Sequence, residues 1–313
     1  MIDRAAISAA HHRLSAQPDF LRTTPLMRLG GGALGVACDE VWLKLEHLQI
    51  GGSFKARGML NRLLSQPLPD AGVIIASGGN AGIATAAAAQ ALGVRCEVFV
   101  PEVSPEAKRA RLRALGAQVV VHGAAYSEAL QACLARQQAT GALLTHAYDQ
   151  PEVVAGAGTL ALEMEQQAGR LPDSLLVSVG GGGLIGGVAA WSAGRAKVVA
   201  LEPELAPTLH SARQAGMPVD VEVSGVAADS LGARRIGAIA WEIAQQHVQE
   251  SLLVSDTAIR AAQLWLWREF KLAVEPAAAL GLAALQSGVY RPGAQEAVGL
   301  IVCGANCDPS VLA

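Results

Sequence analysis

Leu175-Leu176-Val177-Ser178-Val179-Gly180-Gly181-Gly182-Gly183-Leu184-Ile185-Gly186 runs from an apolar stretch through four glycines into small and aliphatic residues. The apolar run reads as a strand over Leu175 to Val179, and Leu184 to Ala193 reads as a helix. Four glycines between them remove every β-carbon from the turn. Several backbone amides can then approach one anion at the positive end of the helix, and a phosphate suits such a seat. A second occupant stays open, because Gly181-x-Gly183-x-x-Gly186 also satisfies the dinucleotide fingerprint. Glu202 closes the next strand, where a ribose-binding acid would sit. On that reading the chain is a nicotinamide-dependent oxidoreductase.

Outward from this turn, strand-like runs alternate with alanine-rich helical ones. Val41 to Leu45, Gly72 to Ala76, Cys96 to Val100, Gln118 to Val121, Lys197 to Leu201 and Ala297 to Cys303 read as further strands. Ala81 to Leu92, Pro105 to Leu115, Tyr126 to Gln138, Gly156 to Gln167, Ile236 to Gln246, Asp256 to Phe270 and Pro276 to Gln286 read as helices. This alternation predicts an α/β fold with wound parallel sheets, and 313 residues suffice for two such lobes.

A net charge of -3 and the absence of any basic run exclude a nucleic-acid partner. Only 16% of residues are charged, so much of the surface is small and neutral, which predicts a homodimer. The five cysteines are an odd set with no C-x-x-C pair, which points to a reducing cytoplasm. Met1 to Leu14 carries Asp3, Arg4, His11 and His12, so neither export nor membrane insertion is expected.

Two more segments and one cysteine carry chemistry. Gly51-Gly52-Ser53-Phe54-Lys55-Ala56-Arg57-Gly58 follows a strand and opens a helix, placing a lysine in a first turn among small residues. Desolvation and the helix dipole both disfavour its ammonium, favouring the neutral amine that a Schiff base requires. Ser77-Gly78-Gly79-Asn80-Ala81-Gly82 offers backbone amides for a carboxylate and a side-chain amide for a hydroxyl. Cys303, ending the last strand, is a thiol able to hydrogen-bond a pyridine nitrogen without giving it a full proton. Taken singly, each segment also reads as ordinary structure: a surface lysine after a glycine turn, a left-handed turn capping a helix, a buried cysteine.

As an ordered set, these segments resemble the fold-type II pyridoxal-phosphate enzymes, most closely the serine/threonine dehydratases of animal type. The resemblance spans nearly the whole chain. It runs through Thr24-Pro25-Leu26, Ser53-Phe54-Lys55-x-Arg57-Gly58, Ser77-x-Gly79-Asn80-Ala81-Gly82, Ser178 to Leu184, Val274-Glu275-Pro276 and Cys303-Gly304. It implies a tryptophan synthase β-like fold, pyridoxal 5'-phosphate as cofactor, and Lys55 as its covalent holder and the catalytic base. Phe54, Asn80, Gly180, Gly181, Gly182, Gly183 and Cys303 are the implied cofactor contacts, with Asn80 on the 3'-hydroxyl and Cys303 at the ring nitrogen. Ser77, Gly78, Gly79, Asn80 and Ala81 would cradle the substrate carboxylate. Residues 1–51 and 149–313 would form the large cofactor-binding domain, and 52–148 a small mobile domain that closes over the substrate.

The implied activity is dehydration of a β-hydroxy amino acid, L-serine or L-threonine, to a 2-oxo acid and ammonia. β-Replacement and racemisation are the alternatives within the fold. Racemases of this family place a serine where this chain has Gly78, which disfavours racemisation. The segment Glu202-Pro203-x-x-Ala206 with Leu231-Gly232-Ala233 resembles a monovalent-cation site. Glu202, Ala206, Leu231 and Ala233 are then the expected ligands, and potassium the expected ion.

Overall fold

The computed structural model describes residues 2–308 and 310. Ten strands form two sheets: β1 (Leu26–Gly30), β2 (Glu40–Lys44), β3 (Val73–Ala76), β4 (Cys96–Val100), β5 (Gln118–Val121), β6 (Leu143–Leu144), β7 (Ser174–Ser178), β8 (Lys197–Pro203), β9 (Glu250–Val254) and β10 (Ala297–Ile301). The larger sheet has the order β1-β2-β10-β7-β8-β9, and the smaller β5-β4-β3-β6. Every pairing is parallel except β1 with β2, an antiparallel edge. The sequence reading missed β1, β6 and β9. β6 is two residues long, and β1 and β9 are sheet-edge strands without the fully buried pattern that marks β3 and β7. Helices Arg4–Ser15 and Thr208–Ala215 were also missed.

β7 and β10 are apolar because helices cover both faces of a parallel sheet. The large core joins these strands to the helices at 151–168, 183–192 and 276–286. The small sheet has its own core, shared with Met59, Leu60, Leu63 and Val153.

Helices Lys55–Leu64, Pro151–Ala168 and Gly183–Ser192 meet almost backbone to backbone. A Cβ at Gly156 would lie 2.7 Å from Gly58 Cα, and one at Gly158 would lie 2.8 Å from the Gly187 carbonyl. Close approach fixes the helix that carries Lys55. A buried ion network fixes it further. Arg57, fully buried, donates to Glu46 (2.8 Å to each oxygen) and to Glu163 (2.9 Å), while Lys44 pairs with Glu163 at 2.5 Å. Burial alone would raise the Glu46 carboxyl, but the charge and hydrogen bonds of Arg57 outweigh it and hold the pKa below its ordinary value.

Candidate active site

In open parallel sheets, ligands bind beyond the carboxyl ends of the strands. Gly180 to Gly183 follow β7, Cys303 follows β10, Lys55 follows β2 and Ser77 to Asn80 follow β3. Since β2, β10 and β7 are neighbours, three of these loops are adjacent by topology alone.

Gly51 and Gly52 take left-handed conformations (φ 74° and 76°) that turn the chain from β2 into the lysine helix. Ser53 bridges Gly304, and the Phe54 amide donates to the Cys303 carbonyl at 3.0 Å. These bonds bring Lys55 and Cys303 together. The Lys55 amine lies 5.0 Å from the Phe54 ring centre and donates to the Ala147 carbonyl at 2.5 Å. Burial lowers its pKa to about 8, against the opposing influence of Cys303 and Glu275. Cys303 is buried, and that burial pushes its thiol well above the ordinary value, so it is neutral.

At the glycine turn, Gly182 has φ 92° and helix Gly183–Ser192 starts without a side-chain cap. Among the described residues, no backbone carbonyl pairs with the amides of Gly181, Gly182 or Gly183. A Cβ at Gly181 would lie 2.2 Å from the Tyr148 ring. The seat is thus glycine by necessity. The amides of Gly79, Asn80 and Ala81 likewise have no backbone carbonyl partner among the described residues. Gly82 permits that turn, since a Cβ there would lie 1.8 Å from the Ser77 carbonyl.

Two uncapped helix starts, a desolvated amine, a neutral thiol and the buried Ser53 hydroxyl, which lacks a partner in the protein, suit a ligand carrying phosphate, carbonyl and ring groups. These residues fit pyridoxal phosphate.

Glu202 stands elsewhere. Its carboxylate is fully buried and accepts from the amides of Leu209 and His210 (2.7 Å each) and from Ser251 Oγ (3.4 Å), with Thr208 Oγ1 3.0 Å away. Burial raises its pKa to about 7 against those bonds. A carboxylate so committed caps helix Thr208–Ala215, which leaves the dinucleotide reading of Gly181-x-Gly183-x-x-Gly186 without a free ribose-binding acid. Around it, Thr208 Oγ1 donates to the Gly180 carbonyl at 2.6 Å, the Thr208 amide to that of Ala206 at 3.2 Å, and Leu231 packs against Gly180. Ala233 is half-buried in the following loop. No group of three or more His, Cys, Asp or Glu side chains able to hold a metal occurs among the described residues.

The sequence reading gave no role to Tyr148, Glu275 or Asn306. Glu275 lay within a quoted motif, and its carboxylate meets Asn80 Nδ2 at 3.0 Å with both oxygens. His146 Nδ1 accepts from the amides of Tyr148 (3.3 Å) and Asp149 (2.9 Å).

Residues 18–304 match the family described as Pyridoxal-phosphate dependent enzyme. The L-threonine ammonia-lyase of Thermotoga maritima is 34% identical over 280 residues, covering 87% of this chain and 69% of that protein. Among solved structures, a T.th. threonine deaminase superposes with a TM-score of 0.88 at 35% identity, covering 98% of this chain and 99% of that one. Maize serine racemase superposes with a TM-score of 0.91 at 28% identity, covering 99% and 95%. The chain belongs to the pyridoxal-phosphate-dependent enzyme family, in its serine/threonine dehydratase branch, and its cofactor is pyridoxal 5'-phosphate.

Proposed function

We propose that the chain is a lyase that dehydrates L-serine or L-threonine to the corresponding 2-oxo acid and ammonia. The observation that carries this reading is the half-buried Lys55 amine, held by the Ala147 carbonyl on the segment that pairs with Cys303 and Gly304, with its pKa lowered to about 8. When bound, pyridoxal phosphate supplies a carbonyl that captures amines and an electron sink for the charge left at the substrate Cα. Lys55 Nζ holds the cofactor and, once the substrate amine replaces it, takes the Cα proton. A neutral amine is needed for both tasks, and lowering the pKa from 10.5 to about 8 makes that form far more accessible near neutral pH. Amides of Gly181, Gly182 and Gly183 neutralise the phosphate, those of Gly79, Asn80 and Ala81 take the substrate carboxylate, and Phe54 lies beside the lysine. The neutral Cys303 thiol would face the ring nitrogen as a hydrogen-bond partner that cannot give it a full proton, which favours elimination over transamination. The β-hydroxyl leaves as water, the proton that Lys55 Nζ took from Cα balancing the one the hydroxyl gains, and the enamine released hydrolyses to the 2-oxo acid and ammonia.

Racemisation needs an acid on the opposite face, and Gly78 provides none. A Cβ there would already stand 3.2 Å from Val100 Cγ1. The strands of the small sheet all lie between residues 73 and 144, which supports residues 52–148 as a lobe of its own; in this reading it closes over the substrate. Carbonyls of Ala206, Leu231 and Ala233 are the proposed potassium ligands, with Glu202 orienting that region. No helix of the described residues is long and apolar enough to cross a membrane. A cytoplasmic homodimer completes the reading.

Release of 2-oxo acid from L-serine, L-threonine, 3-hydroxyaspartate and an aryl-serine, with both enantiomers compared, tests the proposal. Turnover of serine or threonine that Lys55→Ala abolishes supports it. Racemisation without 2-oxo acid refutes it.

A further inference from the structure

Asn80 is one link in a chain of side chains. Arg111 Nη1 donates to Asn306 Oδ1 at 2.6 Å. Asn306 Nδ2 donates to the Gly51 carbonyl at 2.8 Å and to Asn80 Oδ1 at 2.6 Å. Asn80 Nδ2 in turn meets both Glu275 oxygens at 3.0 Å. The two ends of this chain each have a single hydrogen-bonding role: a guanidinium only donates, and an ionised carboxylate only accepts. The two amides between them, free to turn over in isolation, are held in one sense. Gly51 fixes Asn306 a second time. Gly52 backs it closely, since a Cβ there would stand 2.7 Å from Asn306 Oδ1.

We propose that Asn306 is a positioning residue that, with Arg111 and Glu275, sets the sense of the Asn80 amide, so that Asn80 presents an N–H rather than its carbonyl to the cofactor's ring hydroxyl. This rests on the reading of Asn80 as the partner of that hydroxyl. Asn80 Nδ2 carries two hydrogens; Glu275 engages one and leaves the other for the ring. Glu275 is placed for this by the bond from its own amide to the Gly304 carbonyl at 3.0 Å, which ties it to the strand end that carries Cys303. The chain's cationic end lies on helix Glu106–Ala114, between β4 and β5. From the same helix Lys108 pairs with Asp229, so this helix reaches both the amide chain and the segment between β8 and β9.

Asn306→Asp is the informative substitution. It keeps the shape and the Arg111 contact but cannot donate to Asn80 Oδ1, so it turns the amide over. Asn306→Ala removes the link without reversing it. Holoenzymes of wild type, both Asn306 variants and Asn80→Ala are compared by visible absorbance spectrum and by cofactor affinity on back-titration after cofactor removal. Asn306→Asp is expected to weaken cofactor affinity about tenfold and to shift the absorbance band, with Asn306→Ala affected less. Equal loss in the two Asn306 variants, or wild-type spectra and affinity in both beside a damaged Asn80→Ala, overturns the proposal alone. An Asn80→Ala protein with wild-type spectrum and affinity overturns the reading of Asn80 and the proposal with it. Should the Asn306 variants fail to fold, Arg111→Met at the exposed end is expected to shift the same band, and an unshifted band there counts against the chain.

Discussion

Replacing Lys55 by methionine should make the cofactor-free protein more stable at neutral pH while abolishing its function. The lysine pKa falls from an ordinary 10.5 to about 8 because the folded protein desolvates the amine. The folded state therefore binds the proton less tightly than the unfolded chain. Below pH 8 the partly desolvated cation is present at full cost; as pH rises from 8 towards 10.5 that cost is relieved. The shift corresponds to about 3 kcal/mol at pH 7. Methionine removes this cost but leaves the Ala147 carbonyl, now bonded to Nζ, without its donor, which takes back about 1 kcal/mol. The net gain is about 2 kcal/mol, or about 3 °C in Tm for a chain of this length. Urea unfolding of both cofactor-free proteins at pH 7 and pH 10.5 reads it directly. The advantage of Lys55→Met should shrink at the higher pH. A variant no more stable than wild type at pH 7, or a pH-independent gap, refutes the reasoning.

Arg57→Met leaves Glu46 and Glu163 with Lys44 alone in a buried site and should lower stability by about 3–5 kcal/mol in denaturant unfolding. Adding Glu46→Gln restores charge balance and should recover much of the loss. Glu46 has a depressed folded pKa, so its stabilisation is present at neutral pH and disappears as pH falls through the acid range; a flatter acid limb is expected in the Arg57→Met stability profile. Gly181→Ala drives a methyl into the Tyr148 ring and should cost about 1–3 kcal/mol by overpacking, together with weaker cofactor binding by titration. Unchanged affinity would remove the glycine turn from the cofactor site.

The glycine turn, the lysine helix and the Ser77 to Gly82 turn were legible because each couples a strand end to a helix start within a few residues, and backbone geometry there dictates residue type. Cys303 was legible only through its place at the end of a strand. Tyr148 was not, because what marks it is the absence of a Cβ on Gly181, 33 positions away. Asn306 lies beyond β10 in a stretch without periodicity, and its partners Gly51, Asn80 and Arg111 come from segments before β3, between β3 and β4, and between β4 and β5. Glu202 misled one reading because a carboxylate at a strand end suits either a ribose or the helix that follows; only the positions of the Leu209 and His210 amides decide between them. β1 escaped because an antiparallel edge strand breaks the pattern of buried parallel ones.

The most direct test is reduction of the holoenzyme with borohydride, which makes the imine between cofactor and lysine permanent, followed by mass analysis of its peptides. Cofactor mass on the peptide carrying Lys55, and no such adduct in Lys55→Ala, is the expected result. An adduct on another lysine, or none in a protein that binds the cofactor, would contradict the assignment of Lys55 as the residue that holds pyridoxal phosphate.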